Sequence, residues 1–415
     1  MDPTFEAERA RDGRNVDPEL GLLAGEGAQQ RVKTLRAPPP PERAVEEEAG
    51  PSYHGLPLLK EPVWRWYIPT YFAVGGLAGA CGVLGAVAQL AGGRGARDLV
   101  DRCRLVATGG ALLSAGLLVA DLGRPARFLN MLRVFRPTSP MNMGTYVLTG
   151  FGVCSALSAL PTAIAVLRAP RALPVRARFA LARRRPPRTL LQPRRTLVPA
   201  SLDGAGDAAG LAAGLLGLPF VGYTGVLISN TAVPVWLGTR RTLPVLFAFS
   251  GAVSASGLFD LWRPRGDGHE MARRFGVLAK GAEVALFYAL DREARIPRVR
   301  RPLRQGLSGA LLKSARLMTA ASLVLDLLAG RGGRRGPRTA AGALALLGTL
   351  ALRFGIHEAG RASARDPHAT FAQQQAERGA AGLVRTGEAP LPTPSPPGVE
   401  ATGKESAELG SAPSP

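Results

Sequence analysis

The chain has 415 residues, 46% of them hydrophobic, with 52 Lys and Arg against 31 Asp and Glu for a net charge of +21. A surplus of that size suits either a nucleic-acid binder or a membrane protein whose loops are loaded with arginine. Distribution excludes the first: residues 66–91, 137–167 and 208–239 carry no charged side chain, and each exceeds the ~20 residues that cross ~30 Å of hydrocarbon. The chain is read as an all-α, polytopic membrane helix bundle in contact with lipid, with no nucleic-acid partner.

Residues 1–50 hold four consecutive prolines, Pro38 to Pro41, and the acidic run Glu46 to Glu48. They bury too little apolar surface to offset the entropy of ordering and are expected to form a disordered tail. The start lacks a basic, apolar, small-residue cleavage pattern, so no signal peptide is expected. A membrane domain over 53–372 follows, with eight transmembrane helices at about 66–90, 104–122, 142–167, 206–230, 242–260, 274–290, 309–329 and 338–355. The segment 274–290 contains Lys280 and Glu283, and 309–329 contains Lys313, Arg316 and Asp326, which makes these two weaker spans. An arginine-rich insertion (168–199) separates the third and fourth spans, and 373–415 is a second disordered tail. "GGLAGACG" (75–82) and "GLAAGLLG" (210–217) place small residues three or four apart, which permits close helix crossings in lipid. One half of the chain shows no repeat of the other.

Eight spans put both termini on one side. The loops after spans one, three, five and seven carry more Lys and Arg than the other set, chiefly through 168–199. Positive-inside bias then places those loops in the cytoplasm and both termini outside.

Chemistry-bearing residues are few. Cys81, Cys103 and Cys154 are far apart with no CxxC, so no iron–sulfur cluster or zinc site is expected within this chain. His54, His269, His357 and His368 are the four histidines, none in the middle of an expected span, so a bis-histidine haem has no ligands. The run "GGLAGACG" lacks the strand context of a nucleotide loop. Lys280 and Glu283 stand at i and i+3 on one helical face, either as an internal ion pair or as a proton relay. Asp326 and Lys313 can pair across helices, and Asp121 can close a bundle end with Arg124.

Four stretches resemble one family: "LPLLKEPVWRWYIPTYFAVGGLAGA" (56–80), "DLGRPARFLNMLRVFRPTSPMNMG" (121–144), "YTGVLISNTAVPVW" (223–236) and "RFGIHEAGRASARDPHATF" (353–371). Together they are similar to the NrfD/PsrC family, the membrane subunits of polysulfide-reductase-like complex iron–sulfur molybdoenzymes. The resemblance implies a subunit of a bacterial inner-membrane oxidoreductase without a cofactor of its own. It would bind menaquinone or ubiquinone and exchange electrons with a four-cluster ferredoxin-like iron–sulfur subunit, and through that with a molybdopterin catalytic subunit. The quinone-binding candidates it implies are Trp64, Trp66, Tyr67 and Tyr71, then Asp121, Arg124 and Arg127, with Tyr223, Thr224 and Asn230 in the fourth span. Tyr and Trp supply an apolar wall with a polar tip, the surface a quinone ring and its carbonyls require.

The sequence departs from the family where Tyr67 stands in place of an acidic residue often found before "IP", and the insertion 168–199 is unusually long and basic. Two rival readings remain. One is a secondary transporter or ion-translocating subunit using Lys280, Glu283 and Asp326. The other is a structural anchor without a working quinone site.

Overall fold

The computed structural model describes residues 59–168 and 199–375, apart from 123, 265 and 331–334. The expected tail 1–50, nearly all of the insertion 168–199 and all but the first three residues of 373–415 lie outside the described residues.

The described residues form eleven α-helices and no strand: α1 Tyr67–Ala91, α2 Arg97–Asp121, α3 Pro140–Arg168, α4 Ala200–Ser229, α5 Pro234–Gly238, α6 Thr242–Leu261, α7 Gly268–Glu293, α8 Pro297–Arg304, α9 Gly306–Ala329, α10 Arg335–Arg365 and α11 Pro367–Gln375. Two 3-10 helices, Gly93–Ala96 and Pro125–Leu132, lie in connections. Six helices, α1, α2, α3, α4, α6 and α10, are long and apolar enough to cross a membrane by themselves. α7 and α9 are as long, at 26 and 24 residues, but carry charges that their neighbours neutralise. The protein is therefore a multi-pass membrane protein. The start of α1 defines what we call the upper end of the bundle; the α1–α2 turn lies at the lower end.

The long helices pack as two rings of four. In the first, α1 contacts α2 and α4, and α3 contacts α2 and α4. In the second, α6 contacts α7 and α10, and α9 contacts α7 and α10. The same arrangement thus occurs twice in chain order, although the sequence shows no repeat. Apolar runs with small residues suffice to build such a ring, so the two halves need not share side chains. α6 seals the seam by packing on both α1 and α4, and α10 reaches α1.

Glycine sets the distance at the seam and within the first ring. A Cβ on Gly217 would stand 2.7 Å from the Gly79 carbonyl oxygen, and one on Gly251 would stand 2.6 Å from that of Gly76. The two small-residue stretches 75–82 and 210–217 face each other across the α1–α4 crossing, with backbone nearly touching backbone. In lipid, where apolar burial gives helices no preference for one another, this closeness supplies the packing energy.

Polar ties fix both ends. At the lower end the buried Arg104 donates to Gln89 Oε1 (2.8 Å) and Asp207 Oδ1 (2.7 Å), while Arg97 reaches Asp203 and Asp207, joining α1, α2 and α4. At the upper end Glu293 accepts the backbone N–H groups of Arg241 (3.0 Å) and Thr242 (2.8 Å), satisfying donors that the first turn of α6 leaves open. Arg316 makes a bidentate pair with Asp291 at 2.8 and 3.0 Å, tying α9 to α7. Asp326 does not pair with Lys313. Both lie on α9, Lys313 is exposed, and Asp326 turns inward to Lys280 of α7.

Candidate functional site

The segment before α1 is fastened to the end of α10 by one carboxylate. Glu61 accepts from Arg361 Nε (2.6 Å) and from Arg365 Nε and Nη2 (2.8 and 2.7 Å). Arg365 foremost, and Arg361 with it, hold the Glu61 carboxyl down at about 2. The clasp places Trp64 over the bundle. Its ring stacks on Trp236 (5.6 Å between centroids, 15° between planes), lies edge-on to Phe72 and faces the imidazole of His357 at 6.3 Å. Trp236, on the short α5, is fully buried; its Nε1 donates to the Ile356 carbonyl (2.9 Å) and its ring fills the space above Gly360.

One turn into α1, Tyr71 is buried with Ile68, Phe72 and, from the end of α2, Leu117, all in one apolar cluster that Tyr67 flanks. Asp121 is half-buried at the last position of α2, level with that cluster, and Arg124 is exposed beyond it. Arg127 lies in the 3-10 helix, and its side chain is outside the described residues. Tyr223 of α4 donates from its hydroxyl to the Pro140 carbonyl, and its ring lies where a Cβ on Gly144 would otherwise point. Thr224 is buried with its hydroxyl unpartnered. Asn230 and Trp66 face outward: the Asn230 amide donates back to the Val226 carbonyl of its own helix, and Trp66 rests on Tyr67. The connector after α2 is held by Asn142, whose amide donates to Met131 and Val134, and by Tyr146, whose hydroxyl donates to Leu132.

Lys280 and Glu283, both fully buried, do not pair with one another. The Lys280 ammonium lies 2.5 Å from Asp326 Oδ2 and 3.6 Å from Asp260 Oδ2. Glu283 instead accepts from Thr319 Oγ1 at 2.9 Å. The i, i+3 spacing does put both on one face, but acids from α6 and α9 meet the lysine first. A cavity of about 10 Å³ lies elsewhere, between α1, α2, α3 and α4 near the lower end, and has room for about one water.

The family described as "Polysulphide reductase, NrfD" matches residues 57–363. The chain belongs to the NrfD family. No curated protein sequence matches it.

For this NrfD-family chain, the structure brings Trp64, Tyr67, Tyr71 and the end of α2 to the upper end of one bundle, with Tyr223 and Thr224 on the neighbouring α4. It leaves Trp66, Arg124 and Asn230 on the surface. Sequence reasoning missed Trp236, His357 and Arg353. α10 extends ten residues past the expected 355, so His357 is inside a helix and 3% exposed rather than beyond a span. The signal was present: Arg353, His357, Arg361 and Arg365 recur every four residues and so share one helical stripe. Arg353 is fully buried, donates to the Phe247 carbonyl (2.8 Å) and lies 3.7 Å from the centre of the Phe247 ring.

Proposed function

We propose that this chain is the membrane anchor and quinone- or quinol-interacting electron-transfer subunit of a molybdopterin oxidoreductase complex, exchanging electrons with a four-cluster iron–sulfur subunit. The observation that carries the reading is membership of the NrfD family over residues 57–363. Support comes from the upper end, where Tyr67, Tyr71 and Leu117 form an apolar wall and Asp121 adds a carboxylate at the rim. Quinone reduction takes up two electrons and two protons, and quinol oxidation returns them. A titratable group with access to water beside an aromatic wall is what that exchange needs. Asp121 is the proton-handling candidate and Tyr71 a wall residue whose hydroxyl can orient a carbonyl. The exposed Arg124 and Arg136 belong to the surface on which the iron–sulfur subunit would dock. The setting is the bacterial inner membrane, with menaquinone or ubiquinone as the exchanged substrate.

The test is quinol-dependent electron transfer in the assembled complex carrying Asp121→Asn or Tyr71→Phe. Both are expected to slow quinol turnover by about tenfold or more while leaving assembly intact. Unchanged quinol kinetics in both variants would remove the site assignment, and failure of the chain to co-purify with an iron–sulfur subunit would remove the function.

A further inference from the structure

Where arginines cluster on the long helices, acids answer them. Asp203 and Asp207 take Arg97, Asp207 also takes Arg104, Glu270 takes Arg273 and Arg274, and Glu61 takes Arg361 and Arg365. The corner joining α7, α8 and α9 at the upper end is different. Residues 292–304 hold six arginines, Arg292, Arg295, Arg298, Arg300, Arg301 and Arg304, and one acid, Glu293. That carboxylate is taken by the backbone N–H groups of Arg241 and Thr242, and Asp291 just before it by Arg316. Arg304 reaches Asp291 only at 3.8 Å, and Arg301 turns its Nε to the neutral Gln305 (2.8 Å). Arg292, Arg295 and Arg298 are exposed and form no ion pair among the described residues.

The local fold turns these cations outward together. Pro297 opens α8, and Val299 and Leu303, one turn apart, are buried beneath it. At 100° per residue, Arg298, Arg301 and Arg304 are then centred on the opposite side. The helix lies across the start of α9. Ser308 donates to the Pro302 carbonyl (2.6 Å), Gly309 leaves the Arg304 carbonyl the room a side chain would take, and Gly306, at φ 68°, makes the turn between the helices. The contact of Arg304 with Asp291 brings this face back to the end of α7, where Arg292 and Arg295 are exposed. Arg292, Arg295, Arg298, Arg301 and Arg304, every third residue, thus make one basic rim.

What lies below the rim decides what it meets. Tyr288, one turn down α7, and Leu307 and Leu317 of α9 are 67%, 68% and 72% exposed, so lipid-facing side chains begin under the arginines. Lys313 stands on the same α9 stripe, ~10 Å below the helix start, exposed and without an acidic partner among the described residues. A lysine there keeps its charge solvated by extending its stem toward headgroup level. Cations above an exposed apolar face, with an interfacial tyrosine between, match a phospholipid whose phosphate is anionic and whose chains follow the helices down. A soluble protein would meet the arginines but not Leu317 and Lys313. Positive-inside bias gives no reason for a basic rim at the end expected outside.

We propose that the α7–α8–α9 corner binds an anionic phospholipid. Arg295, Arg298 and Arg301 hold its phosphate, Lys313 closes the lower edge, and the acyl chains lie along Leu307 and Leu317. A guanidinium presents two N–H groups to one phosphate, which a zwitterionic headgroup also offers but with its own cation attached. The arginines stand within a Debye length of about 8 Å of their neighbours, and a bound anion relieves their mutual repulsion. The proposal does not rest on the quinone reading: the corner belongs to the second ring, whereas Tyr71 and Asp121 belong to the first.

The experiment is native mass spectrometry of the full-length chain in detergent, with equal amounts of phosphatidylglycerol and phosphatidylcholine of the same acyl chains. The wild type is expected to retain phosphatidylglycerol in preference. Arg295→Gln/Arg298→Gln is expected to weaken that binding about thirtyfold and Lys313→Gln about fivefold. Arg65→Gln/Arg133→Gln removes the same charge beside the first ring and is expected to change it by less than about twofold. All five side chains are exposed, so the variants are expected to fold. No preference in the wild type, or equal loss in the corner and control variants, overturns the proposal. A corner variant that keeps the lipid but no longer co-purifies with an iron–sulfur subunit assigns the rim to protein docking and overturns it equally. Quinol turnover in the assembled complex is a separate measurement, so failure here leaves the quinone reading standing.

Discussion

Lys280 shows what a single buried charge costs in this protein. Its ammonium is fully enclosed and is answered by two carboxylates, of which Asp326 is the nearer. Lys280→Met would leave two acids buried without their base, and removal of one partner of a buried pair typically costs about 3–5 kcal/mol. A large drop in melting temperature in detergent is expected, and a change within error would mean that water reaches the triad freely. Glu61 is the opposite case, a partly exposed carboxylate in an arginine clamp. Its carboxyl is held at about 2, below the ordinary 4.5, so its contribution is complete above pH 4.5 and disappears as pH falls through about 2. Being exposed, the clasp is worth about 1 kcal/mol or less. Near-ultraviolet circular dichroism of the Trp64–Trp236 stack reports it. The wild-type signal should survive acidification from pH 5 to pH 3, whereas Glu61→Gln should weaken the signal at every pH in that window and abolish the acid transition.

At the scale of elements, the α1–α4 crossing depends on the absence of side chains. Gly217→Ala places a methyl group 2.7 Å from the Gly79 carbonyl oxygen, and because that atom is backbone the helices must separate. A loss of about 1–3 kcal/mol is expected, read as a lower melting temperature. Gly109→Ala, where the added Cβ meets nothing within 4 Å, should be neutral or slightly stabilising, since alanine favours helix. Equal behaviour of the two variants would refute the close-crossing account. The glycine spacing was legible in the sequence because its period is local. The charged helices α7 and α9 were legible only in part, because what makes them tolerable comes from elsewhere: Lys280 is answered by a residue 46 positions away and Arg316 by one 25 away. The same holds for α10, whose apolar run breaks at Arg353 although the helix continues. No local pattern shows that a guanidinium will be covered by Phe247. At the upper end the aromatic residues were readable as a set, but the partner of Trp64 was not, since Trp236 sits on the five-residue helix α5 within an uncharged run.

At the scale of the molecule, two four-helix rings meet along α1, α4 and α6, and the buried Lys280, Glu283 and Arg353 belong to the second ring. Which side of the membrane each end faces follows from the charge of its loops. Residues 59 and 375 both lie toward the upper end, as does the connector after α2, whereas the arginine-rich 168–199 departs from the lower ends of α3 and α4. Many upper-end arginines are tied to acids, Arg304 and Arg316 to Asp291 and Arg361 and Arg365 to Glu61, but the bias in insertion counts Lys and Arg rather than net charge. The insertion therefore decides, and the lower end is expected in the cytoplasm. Two single substitutions measure this in intact cells. A membrane-impermeant maleimide should label Arg136→Cys, exposed in the upper connector, and should reach Asp267→Cys, exposed in the lower α6–α7 turn, only after the membrane is opened. Background is low because Cys81 and Cys103 are buried and Cys154 is only partly exposed. The reverse labelling pattern would place the insertion outside.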